Sequence, residues 1–248
     1  MAENAPSDVV NALAPSGTLR AAINFGNTVL AQRDPATGEP RGISADLARE
    51  LARRLGTPVA FVTFDAAGKV TDALKQGAWD IAFLAIDPVR AADIDFTAPY
   101  VLIEGTYMVP ANSSLRAIED VDRPGVRVAV GRGSAYDLYL TRAIKHATLV
   151  RGEGPAASIR MFVNDRLEAA AGVRQPLVDH AKTDPTVRVM DGRFMSIQQA
   201  MATPKGRAAG ARYLRQFVEE MKASGFCAEA LERSNQLDAS VAPPSPVE

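Results

Sequence analysis

The stretch that decides the fold is Trp79-Asp80-Ile81-Ala82-Phe83-Leu84-Ala85-Ile86-Asp87-Pro88-Val89-Arg90. Its apolar run, Ile81–Ile86, predicts a buried strand, and the residues after it predict a loop. An α/β sheet presents ligand-binding groups at the carboxyl ends of its strands, where this loop would place Asp87 and Arg90. A guanidinium can bind a carboxylate through two parallel hydrogen bonds, so Arg90 is a candidate ligand-binding residue. An equally compatible interpretation is a surface arginine paired with a neighbouring aspartate: Asp87, Asp93 or Asp95.

Strand and helix patterns alternate on both sides of this stretch. Before it, the sequence predicts strands at Leu19–Ile23 and Val59–Phe64 and an amphipathic helix at Ser44–Leu55, with Ser44 as the N-cap. After residue 114 the alternation restarts, with strands predicted at 127–130, 148–150, 167–172 and 187–190, and helices at 134–145, 157–163, 177–181 and 204–226. Alternation of this kind predicts parallel sheets flanked by helices, here in two α/β lobes.

Composition narrows the possible functions. The chain has 248 residues, with 28 Lys and Arg against 29 Asp and Glu and a formal net charge of −1. Binding to nucleic acid needs clustered basic side chains, so nucleic acid is not an expected partner. One cysteine, Cys227, and two histidines, His146 and His180, cannot build a four-ligand zinc site, so no metal is expected.

The sequence shows no segment suited to membrane insertion or export. Its longest apolar run, Ile81–Ile86, is far shorter than the roughly 20 residues that a membrane-spanning helix needs. The first residues lack the basic start and apolar stretch of a signal peptide. The sequence therefore predicts a cytoplasmic location as it stands, or a periplasmic one if a leader has been removed.

Several short motifs carry a resemblance to a known family. They are Gly17-Thr18-Leu19-Arg20 at the first strand, Gly42 before the first helix, Trp79-Asp80, and Gly131-Arg132-Gly133-Ser134 in the second lobe. The most specific is Arg90 placed four residues ahead of Ile94-Asp95-Phe96-Thr97-Ala98-Pro99-Tyr100. Together with the predicted helix from Pro204 to Phe226, they make residues 17–235 resemble the bacterial extracellular solute-binding proteins of family 3, the substrate-capturing components of polar amino-acid ABC transporters.

The resemblance implies a two-lobed, periplasmic-binding-protein-like fold of type II, whose lobes are joined by a two-strand hinge. Lobe 1 would comprise residues 17–107 and 200–235, and lobe 2 residues 108–199, with flexible ends at 1–16 and 236–248. The hinges are expected near Thr106–Pro110 and Ser196–Met201. Such lobes close on a ligand by hinge motion without chemistry, so the resemblance implies a binding protein and not an enzyme.

The resemblance also implies a ligand site. In relatives that bind amino acids, the residues matching Arg90 and Ser134 hold the ligand carboxylate. Ser134 suits this role on its own account, because a helix N-terminus offers free N–H groups to an anion. A plain N-cap, with Asp137 completing a capping box, is a compatible interpretation. The other residues expected to line the site are Asn24, Asn27, Ala85, Asp87, Gly133, Ala135, Tyr136 and Arg174.

Departures from the family pattern bear on the ligand. Asn24 and Asn27 stand where relatives usually carry Asp and Tyr. Where amino-acid binders carry an acid that holds the ligand ammonium, this chain has Val173, followed by Arg174. Asp87 could hold an amine instead, whereas Arg174 would either favour a second anionic group or be a solvated surface residue. The sequence therefore predicts a ligand with a carboxylate, either an amino acid or an organic acid.

The resulting prediction is a non-catalytic, monomeric protein without a cofactor that captures a small carboxylate-bearing molecule, with an ABC transporter permease as a partner. A cytoplasmic ligand sensor or buffer of the same fold is one alternative. A cyclohexadienyl-dehydratase-like enzyme is another, but those relatives carry an acid after the second-lobe strand, and Val173–Pro176 supply none. Gly131–Tyr136 also matches part of a dinucleotide-binding turn, but Tyr136 replaces the third glycine, which close helix–strand packing needs.

Overall fold

The computed structural model describes residues 5–246 and divides them into two compact units. Unit 1 consists of the described residues up to Phe64, Lys69–Leu102, and those from Gln198 onward; unit 2 consists of Asp65–Gly68 and Ile103–Ile197. The sequence predicts lobe boundaries at 107/108 and 199/200, whereas the chain enters and leaves the main segment of unit 2 at 102/103 and 197/198. Both passages lie inside long strands.

Strands and helices alternate along most of the described chain. The strands are β1 (Leu19–Asn24), β2 (Gln32–Arg33), β3 (Pro40–Arg41), β4 (Val59–Phe64), β5 (Ile81–Ala85), β6 (Ile94–Pro110), β7 (Arg127–Gly131), β8 (Thr148–Gly152), β9 (Ala169–Val173), β10 (Val187–Val189), β11 (Met195–Pro204) and β12 (Ser240–Val241). The helices are α1 (Ser7–Leu13), α2 (Ile43–Leu55), α3 (Ala67–Leu74), α4 (Ala135–Ala143), α5 (Pro155–Asn164), α6 (Arg174–Thr183), α7 (Ala208–Ala223) and α8 (Phe226–Arg233). Short 3-10 turns occupy Arg90–Ala92 and Ile118–Val121.

Unit 1 is built on the parallel strands β4, β1 and β5. Ala21 of β1 pairs with Phe61 on one side and with Ile81 on the other. Strand β11 runs antiparallel to β5, and every side chain of β5 is buried, as its apolar run predicts. Because β1 and β5 are parallel neighbours, their carboxyl ends, at Asn24 and Ala85, lie at the same edge of the sheet.

Unit 2 repeats this arrangement with the parallel strands β8, β7 and β9. Strand β6 runs antiparallel to β9 on the side away from β7, and β10 runs antiparallel to β6. Its hydrophobic core combines the small side chains of β7 and β9 with larger ones from the helices, β6 and the turn before β9: Met108, Ala129, Phe162, Leu167, Ala170 and Leu177. The prediction of a mixed α/β fold with mostly parallel sheets flanked by helices is confirmed.

Helix α2 follows its sequence pattern except at its start. Its leucines at every fourth position are buried, and Gly56, at φ 66°, ends the helix in the left-handed conformation. The predicted N-cap, Ser44, lies instead inside the helix, which begins at Ile43. Gly42 has φ 97°, and a Cβ there would lie 2.8 Å from the carbonyl oxygen of Leu30. Close approach of two backbone segments, together with a positive φ, therefore requires glycine before this helix.

Short elements of regular structure lie close to both ends of the described residues, where the sequence predicted none. Helix α1 buries Val9 and Leu13, and Leu13 lies against Gly210 of α7. Near the other end, β12 pairs with β6, so that Ser240 is opposite Leu102. Composition did not reveal the surfaces against which these residues pack, and the predicted flexibility of the two ends stays a prediction. Residues 1–4 and 247–248 lie outside the described residues.

The last long helix also differs from its prediction. Helix α7 begins at Ala208 and not at Pro204, because residues up to Pro204 continue strand β11. Gln199–Thr203 of that strand are buried, and Gln199 is paired with Ala85 of β5. The part of the strand from Gln199 to Thr203 therefore belongs to the interior of unit 1, which the polar composition at Ser196, Gln198 and Gln199 did not indicate.

The Trp79-Asp80 motif serves the core of unit 1. Trp79 is fully buried, and its indole N–H donates to the carbonyl of Val70 at 2.9 Å. Asp80 is also fully buried, and its carboxylate accepts hydrogen bonds from the side chains of Arg20 and Arg207, each at 2.9 Å. Burial favours the neutral acid, but the hydrogen bonds from Arg20 and Arg207 outweigh it, so the pKa of Asp80 lies below its ordinary value.

Within residues 5–246, none of the helices has the length and apolar character needed to cross a bilayer. The same part of the chain contains no group of three or more His, Cys, Asp or Glu side chains arranged to hold a metal ion.

Candidate functional site

Arg90 lies at the carboxyl edge of the unit 1 sheet, in the loop that follows β5. Its side chain turns back onto the end of that strand, where Nη1 donates to the carbonyl of Ala85 at 2.9 Å. Only 5% of the residue is exposed, so the interpretation of Arg90 as a surface arginine was wrong. Burial lowers the pKa of Arg90 to about 10, while the negative charge of Asp87 opposes this shift. The guanidinium therefore stays protonated at neutral pH.

Asp87 organises the turn that carries Arg90. Its Oδ1 accepts a hydrogen bond from the Val89 N–H at 2.8 Å, and its backbone carbonyl accepts one from the Ala91 N–H at 2.9 Å. Asp87 is also buried, and its negative charge acts on the guanidinium of Arg90. Asp87 thus has a structural role in this loop, and its predicted role as a partner for a ligand amine stays a prediction.

Asn24 and Asn27 lie at the same edge of the sheet, in the loop after β1. Asn24 Oδ1 accepts a hydrogen bond from the Gly26 N–H at 2.9 Å, which turns the chain. The carbonyl of Asn27 accepts from the Leu30 and Ala31 N–H groups at 3.1 Å each. The side-chain oxygen of Asn27 is buried and has no hydrogen-bond donor among residues 5–246. It is the acceptor in this loop that a ligand could satisfy.

In unit 2, Ser134 caps helix α4 at the end of β7. Its Oγ accepts from the Asp137 N–H at 3.1 Å, and Asp137 accepts from the Gly133 N–H at 2.9 Å. The predicted capping box is therefore present in a shifted form, since Asp137 reaches the residue before the N-cap. Ser134 N–H donates to the Gly131 carbonyl at 3.0 Å. The N–H groups of Ala135 and Tyr136 belong to the first turn of α4, where helix geometry provides no intrahelical acceptor.

Tyr136 is buried in the base of this turn and does not line an open surface. Only 4% of the residue is exposed, and a Cβ at Gly131 would lie 3.2 Å from its hydroxyl. Burial raises the pKa of Tyr136 to about 12, against a smaller opposing effect of its hydrogen bond with Ser134. Gly131 thus makes room for the phenol, and the backbone N–H of Tyr136 is the group that remains for a ligand.

Arg174 begins helix α6, next to the end of β9, and makes contacts that the sequence did not predict. Its Nε lies 2.7 Å from a carboxylate oxygen of Glu104, and Nη1 and Nη2 donate to the carbonyls of Met190 and Gly192. Arg174 is therefore a paired residue whose side chain stays 28% exposed, and not a freely solvated one. Its predicted role in binding an anionic ligand group stays a prediction.

Glu104 is the charged residue near this position that sequence reasoning missed. It lies on β6, whose next residue, Gly105, pairs with Val173 of β9, so it reaches the predicted edge from a neighbouring strand. The hydrogen bond from Arg174, opposed by partial burial, lowers the pKa of Glu104. An ionised carboxylate is unsuited to protonating a leaving group, so Glu104 does not supply the acid that a dehydratase would need.

Cys227 gives no alternative active site. It is buried, and burial raises the pKa of its thiol to about 12, so the nucleophilic thiolate does not form at neutral pH. The sequence interpretation of Cys227 as a small buried residue is confirmed.

The predicted site residues thus form two sets, one in each unit. In both sets the residues lie at or just beyond the carboxyl ends of neighbouring parallel strands, β1 and β5 in unit 1 and β7 and β9 in unit 2. The unit 1 set is Asn24, Asn27, Ala85, Asp87 and Arg90, and the unit 2 set is Gly133, Ser134, Ala135, Tyr136 and Arg174.

Comparison with known proteins points to a family of binding proteins. A glutamine-binding protein of Geobacillus stearothermophilus is 22% identical over 195 residues, which are 77% of this chain and 74% of that protein. The solved structure of a cysteine-binding protein from Campylobacter jejuni, 18% identical, matches with a TM-score of 0.80 over 94% of this chain and 99% of the other.

A third likeness is to an ancestral amino acid-binding protein described as a precursor of cyclohexadienyl dehydratase. It is 25% identical, with a TM-score of 0.74 over 90% of this chain and 98% of that one. These structures confirm the predicted fold of the periplasmic-binding-protein type. Residues 30–235, most of the chain, match the family profile, and the chain therefore belongs to the bacterial extracellular solute-binding proteins, family 3.

Proposed function

We propose that the protein binds an amino acid or a related small carboxylic acid and releases it unchanged. The observation that carries this proposal is the buried, protonated guanidinium of Arg90 at the carboxyl edge of the unit 1 sheet. A buried charge is costly unless it is well paired and hydrogen-bonded. Asp87 offsets part of that cost, and a ligand carboxylate would add strong charge-assisted hydrogen bonds.

The unit 2 contribution to the proposed binding comes from the start of α4. The N–H groups of Ala135 and Tyr136 belong to the first turn, where the helix dipole favours negative charge. Ser134 and Gly133 fix that turn through their hydrogen bonds with Asp137. We therefore propose these N–H groups as the anion-binding donors that unit 2 offers to a ligand.

Two features support a ligand that also carries an amine. The side-chain oxygen of Asn27 is a buried acceptor, and the carboxylate of Asp87 lies in the neighbouring loop of the same unit. An ammonium group would satisfy the first and be attracted by the second. The named ligands of the two relatives, glutamine and cysteine, are amino acids, which agrees with this choice.

A thermal-shift screen of the full chain against amino acids, dicarboxylates and keto acids tests the proposal. A ligand at about 100 times its Kd stabilises the folded state by about 2.7 kcal/mol, a clear rise in Tm. Calorimetry with the best hit then compares Arg90→Ala with Arg212→Ala, an exposed arginine on α7. Loss of a charged hydrogen bond weakens binding by about tenfold or more. An affinity within about threefold of the unsubstituted protein would contradict the role of Arg90.

The transport role is a further part of the proposal. The family is named for extracellular solute binding, which suits delivery of the ligand to an ABC transporter permease. Fractionation of the native organism tests the location: a periplasmic or extracellular protein supports transport. A protein confined to the cytoplasm would support the alternative of a ligand sensor or buffer.

Catalysis by a dehydratase-like mechanism is the competing function. The likeness to a precursor of cyclohexadienyl dehydratase motivates it, whereas the lowered pKa of Glu104 argues against it. Incubation of the protein with prephenate or arogenate should give no product above the uncatalysed rate. Turnover that disappears in Glu104→Gln would overturn the non-catalytic assignment.

A further inference from the structure

Arg174 connects three separate parts of unit 2. It stands at the first residue of α6, its Nε pairs with Glu104 on β6 at 2.7 Å, and its two terminal nitrogens donate to carbonyls of the segment Met190–Met195, which leads into β11. The three contacts use all three nitrogens of the guanidinium. Charge pairing and a planar fork of donors suit arginine to this bridging position better than any other side chain.

The Met190–Met195 segment is held against β6 by a series of further contacts. The Met190 N–H donates to the Tyr107 carbonyl at 2.8 Å, and the Phe194 N–H donates to the Gly105 carbonyl at 3.0 Å. Between them, Thr106 Oγ1 donates to the Gly192 carbonyl at 3.0 Å. The rings of Tyr107 and Phe194 lie 4.6 Å apart. Arg174 therefore adds its hydrogen bonds to a contact that β6 and the Met190–Met195 segment already form.

This contact lies at a particular place in the chain. Strand β6 brings the chain into unit 2 at Ile103, and β11 takes it out after Ile197, so the bridged backbone is that of the two connecting segments. Gly105 is needed there, because a Cβ would lie 2.8 Å from Met195 and 3.0 Å from Phe194. The close approach of the two segments is thus built into the sequence.

We infer that Arg174 is a positioning residue that holds these two connecting segments together, and that it does not bind a second anionic group of the ligand. Glu104 pairs with its Nε, and the Met190 and Gly192 carbonyls each accept a hydrogen bond from one of its terminal nitrogens. A ligand anion would have to compete with an ion pair already formed. The inference rests on the proposed function only for the choice of ligands in the calorimetric experiment.

Hydrogen exchange of the ligand-free protein tests the inference directly. In Arg174→Gln we expect the Met190 and Phe194 amides to exchange about tenfold faster or more, with amides of β7 and β8 unchanged. Arg193→Gln is the matched control, because Arg193 also pairs with Glu104, at 3.1 Å, but is 55% exposed. It should change exchange by less than about threefold. Equal protection in both variants would overturn the inference.

Arg174→Lys guards against a variant that merely fails to fold. A lysine can keep the ion pair with Glu104 but lacks the fork that reaches both carbonyls, so its exchange rates should fall between those of the unsubstituted protein and Arg174→Gln. Rates in Arg174→Lys equal to those of the unsubstituted protein would show that the carbonyl contacts contribute nothing, and would contradict the bridging role.

Calorimetry with glutamate and glutamine separates positioning from ligand contact. A positioning role predicts that Arg174→Gln changes the affinity for the two amino acids by the same factor. A tenfold greater loss for glutamate would assign Arg174 to the second carboxylate and overturn the inference. If neither amino acid binds, the proposed function is weakened, while the exchange experiment still decides the role of Arg174.

Discussion

Arg207 and Asp80 are 127 residues apart in the chain, yet Arg207 Nη1 donates to Asp80 Oδ1 across 2.9 Å. The same arginine nitrogen donates to the carbonyl of Ala12 at the end of α1. Arg20 of β1 donates to both oxygens of the same carboxylate. The buried acid therefore joins β1 to Arg207 at the start of α7, and Arg207 in turn contacts the end of α1.

We expect Asp80→Asn to be strongly destabilising. The amide keeps the shape of the side chain but removes the charge that two arginines share, and breaking a buried ion pair costs about 3–5 kcal/mol. Because both arginines are partly exposed, we expect Asp80→Asn to lower the free energy of unfolding by about 2–4 kcal/mol. Urea unfolding at pH 7 measures the change. Asp72→Asn, at an exposed position of α3, should stay within about 0.5 kcal/mol. Similar midpoints for the two variants would contradict the prediction.

Stability should fall in acid, partly through Glu50. The hydrogen bond from Arg53, against the effect of burial and with help from Arg54, lowers the pKa of Glu50 from 4.5 to about 2. A depressed folded-state pKa stabilises the fold above the unfolded pKa, and this contribution is lost as the pH falls toward the folded value. The free energy of unfolding should therefore decrease from about pH 5 to pH 2.

Denaturant unfolding across that pH range measures the effect. In Glu50→Gln the decrease should be shallower, because the group that takes up the proton is gone. Glu232→Gln, at an exposed position of α8, serves as the control and should keep the original slope. A slope for Glu50→Gln equal to that of the control would refute the assignment.

Two glycines flanking α2 should differ in their tolerance of a side chain. Both have positive φ, but a Cβ at Gly42 would meet the Leu30 carbonyl at 2.8 Å, whereas Gly56 has nothing within 4 Å. Left-handed backbone alone costs about 1–2 kcal/mol for alanine, which is the loss expected of Gly56→Ala. Gly42→Ala should lose more, since the backbone at the Leu30 carbonyl must also shift. Thermal unfolding of both variants checks the order, and the reverse order would contradict it.

Asp87→Asn should reveal whether the ligand amine lies near this loop. The amide oxygen can still accept from the Val89 N–H, so the turn is preserved while the charge is lost. We expect about tenfold weaker binding of an amino acid and a smaller change for the corresponding keto acid. Calorimetry with the two compounds measures both. Equal losses would assign Asp87 to the support of Arg90 alone.

Local sequence patterns predicted most of the elements that build the two sheets. The leucine spacing of α2, the apolar run of β5 and the glycine at position 56 depend on neighbours in the chain, and each is found where expected. Local pattern did not show strand β11, which only the family resemblance implied near Ser196–Met201, because its burial comes from pairing with β5, more than 100 residues earlier. Helix α1 and strand β12 were not predicted either, since their partners are also distant in the chain.

The residues of the candidate site also differ in whether the neighbouring sequence could predict them. Arg90 and Ser134 follow directly from a strand and a helix start next to them in the sequence, so their positions could be predicted. The partner of Arg174 could not, because Glu104 is 70 residues away and meets it through the pairing of β6 with β9. Burial of Tyr136 likewise depends on the space above Gly131, which no local pattern shows.

Strand β6 runs without interruption from Ile94 to Pro110, and its residues belong to unit 1 up to Leu102 and to unit 2 from Ile103. Side chains alternate along a strand, so the insertion or deletion of one residue upstream of Leu102 would invert the inward and outward faces of the rest of the strand, unless a bulge absorbed it. The direction of each side chain on either side of Leu102 therefore depends on the length of one continuous strand. Replacing either unit with a homologous one would require the new strand to keep the same alternation of side chains at Leu102 and Ile103.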